Sequence, residues 1–167
     1  MRHGLVVAAF LAAGCASARS AVRASPLMGK PVEVRATDLD GHERRVNGDS
    51  GKVRVIDFWA TWCDPCRDQL PFLEALRARY AARGLSVYAV SFDEDRAALE
   101  RFLTETPLSL TVLWDKGGAV NAEPLEVTRL PTTLLVDRKG LVREVHLGFE
   151  REEEARLEAA VRRLLEE

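Results

Sequence analysis

Two cysteines, Cys63 and Cys66, flank Asp64-Pro65 in the run Trp62-Cys63-Asp64-Pro65-Cys66. The spacing has chemical meaning only if the backbone there is helical. Three helical steps rise about 4.5 Å and leave the two Cα atoms about 5 Å apart. That is within reach of a disulfide, whereas three extended steps span roughly 10 Å and forbid one. On a helix start the thiols can bond or separate with little backbone movement. The unpaired N–H groups and positive end of the helix favour a thiolate there. Cys63, at the mouth, is the expected attacking sulfur, and Cys66, one turn in, the resolving one. Asp64 opposes this. A carboxylate some 6 Å from Cys63, at an effective dielectric near 40, disfavours the thiolate by about one pKa unit. A strong oxidant stabilises its reduced thiolate, so the motif leans towards a reductant.

Other uses of a cysteine pair are less well served. A zinc site needs about four ligands, and past the first few residues only His42 and His146 are at hand, without zinc-like spacing. A static disulfide closing so short a ring gains little loop entropy. A copper-binding, metallochaperone-like module using Cys63, Cys66 and His146 stands as the alternative. Redox exchange needs neither metal nor organic cofactor, and none is expected.

The surrounding elements must hold the pair at such a start. Val53–Trp59 (VRVIDFW) is a β-branched and aromatic run, hence a buried strand. A helix is expected from about Pro65 to Arg83: Pro65 suits its first turn, Pro71 should kink it, and Gly84 stops it. Upstream, residues 32–46 predict two short strands around a turn at Asp38–Gly41, and Gly48–Gly51 a second loop. Downstream, Leu85–Phe92 reads as a core strand and Asp93–Glu105 as a helix with Ala97, Ala98, Phe102 and Leu103 available to pack. Leu110–Trp114 reads as a short strand and Asp115–Val127 as irregular or briefly helical. Pro131 introduces a strand at Thr132–Val136, which a turn at Asp137–Gly140 joins to Leu141–Leu147 as an antiparallel hairpin. Arg151–Leu165 is a helix whose apolar stripe is Leu157, Val161, Leu164 and Leu165. Strands linked by helices, then a hairpin and a helix, indicate an α/β sandwich on a mixed sheet.

The N-terminus reads as an address. Met1-Arg2-His3 is basic, residues 4–14 are uncharged, and Cys15-Ala16-Ser17-Ala18 follows, the pattern of a secretory signal. Ala12-Ala13-Gly14-Cys15 is similar to the bacterial lipobox, in which the cysteine is lipidated and becomes the mature N-terminus. Cleavage after Ala18 and retention as an uncleaved anchor are the alternatives. The expected organisation is a signal segment at 1–18, a tether at 19–29 and one domain at 30–167. Removing or acylating Cys15 leaves a single pair from three cysteines, and export suits a disulfide. With 167 residues and a net charge of -2, one domain is the prior, and general attraction to nucleic acid or anionic lipid is excluded.

The stretches VIDFWATWCDPC (55–66), LPTTLLVDRKG (130–140) and GF (148–149) resemble the thioredoxin superfamily. Within it, the N-terminal hairpin, FWATWC and the long segment 85–128 resemble the exported TlpA/ResA/CcmG-like thiol–disulfide oxidoreductases over residues 29–165. The resemblance implies a thioredoxin-like three-layer sandwich with an N-terminal β-hairpin and a central insertion. Pro131 then matches the cis-proline facing the cysteines. Trp62, Asp64, Pro65, Leu130 and Pro131 would meet substrate. Trp62 as a core residue and Pro131 as an ordinary strand-entry proline are the bland alternatives. Asp57 stands where many exported members have asparagine, and Gln69 where they often have glutamate. Asp57 is therefore the candidate proton acceptor for Cys66, raised by desolvation, with Asp68 in reserve and a merely hydrogen-bonded strand aspartate as the alternative. A peroxiredoxin-like peroxidase shares much of the fold but lacks the Trp-Cys-x-x-Cys unit. Implied partners are protein thiol or disulfide clients and an upstream membrane thiol donor. The expected form is a monomer in the bacterial periplasm or cell envelope, soluble or lipid-anchored.

Overall fold

The structure, a computed structural model, describes residues 25–46 and 51–167. The signal segment, Cys15 and most of the tether therefore lie outside the described residues, as do three residues of the Gly48–Gly51 loop. The elements are β1 (Arg35–Thr37), β2 (Glu43–Arg45), β3 (Val53–Trp59), α1 (Asp64–Tyr80), β4 (Leu85–Ser91), α2 (Arg96–Glu105), β5 (Thr111–Trp114), β6 (Thr132–Val136), β7 (Val142–Leu147) and α3 (Arg151–Glu166). The strands form one mixed sheet in the order β2-β1-β5-β4-β3-β6-β7. β3 is an interior strand, parallel to β4 and antiparallel to β6. All seven of its residues are buried, so its apolar residues fall on both faces rather than alternating with exposed ones, and Arg54 and Asp57 are buried among them.

The two faces are closed differently. Val53, Val55 and Trp59 pack with residues of all three helices, among them Leu70, Leu73, Leu99, Leu157 and Val161. Moving from β3 to β4 to β5 in one direction by right-handed crossovers places α1 and α2 on that same side. Ile56 and Phe58 point the other way, into a second core closed by Val32, Val34 and Val46 from the N-terminal region and Leu125 from the segment before β6. The N-terminal boundary is knitted in early: the Gly29 amide donates to Val142 O at 2.8 Å.

Two local expectations need correction. The second helix begins at Arg96 rather than Asp93, because Asp95 caps it by accepting from the Ala97 amide at 2.9 Å, while Asp93 turns back towards Thr61. In that helix Leu99 is the fully buried residue, and Ala97 is exposed. The first helix ends at Tyr80 and tightens into a 3-10 turn over Ala81–Arg83. Gly84 then takes φ 97°, a left-handed conformation that other residues adopt only with strain. Among the described residues no helix is long and apolar enough to cross a membrane.

Candidate active site

The end of β3 runs through Ala60-Thr61-Trp62 into α1, and the turn is closed by the Cys63 amide donating to Ala60 O at 3.1 Å. Cys63 is the N-cap residue of α1. Pro65 sits in the first turn, where a missing N–H costs no intrahelical bond. Cys63 and Cys66 are joined as a disulfide with Cα atoms 5.2 Å apart, the separation the helical spacing predicts. Cys66 is fully buried and Cys63 is 6% exposed, so an incoming thiol meets Cys63 first. Trp62 is 66% exposed. It is a surface feature beside Cys63, not a core tryptophan.

Asp64 is not a free carboxylate. The Arg67 guanidinium, one turn along α1, pairs with it and also donates to Thr61 O at 2.9 Å. Both side chains are largely solvated, so the pair brings little net charge to the motif. Paired and exposed in this way, Asp64 disfavours a Cys63 thiolate by less than an unopposed carboxylate would.

β6 carries the second half of the site. The Leu130–Pro131 peptide is cis. Pairing of Phe58 with Thr132 puts Pro131 at the same sheet edge from which β3 enters the cysteine turn. Pro131 is buried and Leu130 half-buried. Gly148, at φ 79°, donates its amide to Pro131 O at 2.8 Å and ties the end of β7 to this bend. One residue further in, Asp57 lies opposite Thr133, whose hydroxyl donates to Asp57 Oδ1 at 2.7 Å. That hydroxyl accepts in turn from Gln69 Nε2 at 3.0 Å, and Gln69 lies one turn beyond Cys66 on α1. Burial pushes the Asp57 carboxyl up to about 7 against the opposing pull of the Thr133 bond. Its Oδ2 is buried without a hydrogen-bond partner, as are Gln69 Oε1 and Trp59 Nε1. Asp57 is thus a carboxyl that holds or releases a proton near neutrality, connected to α1 by a side-chain chain of hydrogen bonds. Asp68, the reserve candidate, is exposed.

Sequence reasoning missed Asp93. This buried residue receives the Thr61 amide on both oxygens at 3.1 and 3.2 Å, the Thr61 hydroxyl at 2.6 Å and the Ser91 hydroxyl at 2.7 Å. It fixes the turn two residues before Cys63. The available signal was Ser91-x-Asp93 at the carboxyl end of a parallel strand, where sites of α/β sheets gather.

His146, the metal ligand of the copper alternative, is buried on β7 with a carboxylate at each ring nitrogen, and so is not offered to the cysteines. Among the described residues the one cluster that could hold a metal ion is Asp38, Asp40 and His42, in the β1–β2 turn. It includes neither cysteine.

Residues 28–161 match the Redoxin family. The thiol-disulfide oxidoreductase ResA of Geobacillus kaustophilus is 34% identical over 112 residues, 67% of this chain and 64% of that protein. The thioredoxin-like protein YneN of Bacillus subtilis is 35% identical over 113 residues, 66% of this chain and 65% of its own length. The chain thus spans somewhat under two thirds of the curated relatives it matches. Among solved structures, a Chlorobium tepidum protein described as a thiol:disulfide interchange protein, DsbE, superposes with a TM-score of 0.78 at 30% identity, covering 83% of this chain and 97% of that one.

Proposed function

The chain belongs to the Redoxin family, and from that premise we propose that it is an exported thiol–disulfide oxidoreductase that reduces protein disulfides. The reading is carried by the Cys63–Cys66 pair at the start of α1, with a neutral-range carboxyl, Asp57, buried behind it. In the reduced enzyme the Cys63 thiolate attacks one sulfur of a client disulfide. The client S–S bond breaks, a Cys63–client mixed disulfide forms, and the other client sulfur leaves as thiolate. Cys66 then passes its proton towards Asp57 and attacks Cys63 Sγ. The second client thiol is released and the Cys63–Cys66 disulfide forms, two electrons having moved to the client. An upstream membrane thiol donor restores the dithiol. Trp62, Leu130 and Pro131 supply the surface on which an extended client segment lies against Cys63, with Asp64 and Pro65 at its border.

Direction follows from charge. The Asp64–Arg67 pair gives the motif little net positive charge, which a strong oxidant needs in order to stabilise its reduced thiolate. A measured potential near the roughly -120 mV of a dedicated oxidant would overturn the reductant assignment. Client trapping tests the roles of the sulfurs. Cys66→Ser should accumulate mixed disulfides through Cys63, and trapping by Cys63→Ser instead reverses the assignment. Among clients, apocytochrome c or general periplasmic thiols fit a reductant in an oxidising compartment. The same reading places the protein at the cell envelope through a lipid on Cys15. A mature peptide beginning at unmodified Arg19, found by mass spectrometry, rules out the anchor and leaves export standing.

A further inference from the structure

The sheet face opposite the helices carries a groove that the exchange described above does not use. It encloses about 580 Å³ between the end of β7 and the segment before β6. Leu125, Val127, Val145 and Leu147 line its floor, Leu125 and Val145 as buried parts of the second core. Glu123 and Glu126 line it too, and both are exposed. Neither carboxylate has an ion-pair partner among the described residues. Glu126 adopts φ 52°, the one positive φ outside glycine among those residues. Its amide donates to Glu123 O at 3.1 Å, and the Val127 amide to Ala122 O at 2.8 Å, which closes the bend. Glycine would make that bend without strain. Glutamate there supplies a charge to the groove instead. Arg129, the next cation along the chain, lies against Gly148: a Cβ on that glycine would stand 3.5 Å from its Nη2.

The groove is continuous with the surface around the cysteines. Val127-Thr128 lead straight into Arg129-Leu130-Pro131. Leu147 pairs with Thr132, the residue after the cis-proline, and Gly148 donates to Pro131 O. Half-buried Leu130 packs against both cores, the one containing Cys63 and Cys66 and the one containing Leu125 and Val145. β7 lies two strands from β3, which feeds the cysteine turn. Two strand spacings are about 10 Å, which an extended chain covers in about three or four residues. We propose that the groove is a second docking site for protein clients. It takes client chain a few residues from the cysteine under attack, seating an apolar side chain on the Val127–Leu147 floor and a lysine or arginine against Glu123 and Glu126. Burial favours the first contact, and the two unpaired carboxylates favour a base and repel an acid. The floor offers no polar side chain to orient a small polar ligand.

The proposal rests on client reduction at Cys63, and the probes separate the two. The reduced full-length protein is offered three peptides, each with one cysteine held in a disulfide with 2-mercaptoethanol. The first carries Leu and Lys about three and four residues from the cysteine on both sides. The second has Glu in place of Lys, and the third Ser in place of Leu. Bis(2-hydroxyethyl) disulfide is the reference, too small to reach the groove. The second-order rate constant for the first peptide should exceed each of the others by about five- to tenfold at low salt. Salt should shrink the Lys preference and spare the Leu preference. Glu123→Gln with Glu126→Asn should erase the Lys preference, asparagine being tolerant of the left-handed bend, and Val127→Thr should weaken the Leu preference. Each preference is a ratio within one protein, so a general loss of folding or chemistry cancels, and either variant carries the test if the other does not fold. Equal rates for the three peptides in the wild type, or preferences that survive both variants, overturn the groove while reduction of the small disulfide leaves exchange standing. Failure to reduce any of the four disulfides overturns the exchange reading and the groove with it. Faster reduction of all three peptides by Arg23→Ala would assign the groove to residues 19–24 of this chain and overturn the client assignment.

Discussion

Two buried aspartates flank the cysteine turn, and they are treated in opposite ways. Asp93, just past β4, has both oxygens filled by donors from Thr61 and Ser91. Asp57, on β3, has a single donor on Oδ1 and none on Oδ2. A saturated carboxylate is a fixed brace, since removing its charge would strand several donors. An under-bonded one is easily protonated, because burial penalises the anion with little to offset it. On the proposed mechanism the site separates the residue that holds its shape from the residue that would move its proton. A region's job can be read from how fully its buried charge is bonded.

The sharpest test of that contrast is pH-dependent stability. Folded Asp57 keeps its proton up to about 7, against 3.8 for the ordinary side chain. Between those values the folded state binds more protons than the unfolded one, so stability falls as pH rises and stays low above about 7. Asp57→Asn should remove that loss: no gain below pH 3.8, and a gain of about 4 kcal/mol at pH 8. Denaturant unfolding at pH 4 and pH 8 checks it. Exchange near neutrality should slow in the same variant. Equal stabilisation at both pH values would mean that the carboxyl is ionised throughout.

Asp93→Ala should do the reverse, costing about 3 kcal/mol at pH 8, because the Thr61 and Ser91 donors lose their acceptor. Exchange should slow by a similar factor at every pH, since the turn carrying Cys63 is loosened rather than its proton acceptor lost. A pH-dependent rate loss here would erase the distinction between the two aspartates.

The sequence carried the outline of this site but not its wiring. The strand, helix start and cysteine spacing follow from periodicity and from 1.5 Å per helical residue, so the 5.2 Å Cα separation was accessible in advance. The desolvation of Asp57 was too, because Val55-Ile56 precede it and Phe58-Trp59 follow it. What the sequence hid is long-range. Thr133 is 76 residues from Asp57 and Asp93 is 32 from Thr61. Their pairing depends on strand order, which local patterns do not encode. The same holds for the helix-free face of the sheet: Val32, Val34, Ala36, Val46 and Leu125 are apolar residues scattered among charged ones, and their common core exists only once β1 and β5 are neighbours.

Thr133→Val tunes Asp57 without removing it. Loss of the hydroxyl takes away the one hydrogen bond that lowers the Asp57 midpoint, and it leaves Gln69 Nε2 without its acceptor. The midpoint should rise from about 7 by about one further unit, read from the pH profile of exchange. An unmoved profile would mean that another donor reaches Asp57 in solution.

The smallest effect belongs at the solvent edge, where charges are paired and screened. Asp64→Asn leaves the Arg67 guanidinium beside the Cys63 turn with its bond to Thr61 O intact but no carboxylate. A reduced thiolate near that cation is better stabilised, so the couple should become more oxidising, by less than roughly 30 mV because water and salt weaken exposed charges. Arg67→Gln unmasks Asp64 and should shift the potential the other way by a comparable amount. The double variant returns close to wild type if the two act as one neutral unit, and raising salt shrinks both single shifts. Shifts well above roughly 30 mV that persist at high salt would show that the pair acts as more than a screened surface charge. Redox equilibration of the four proteins against glutathione buffers at low and high salt decides between these outcomes.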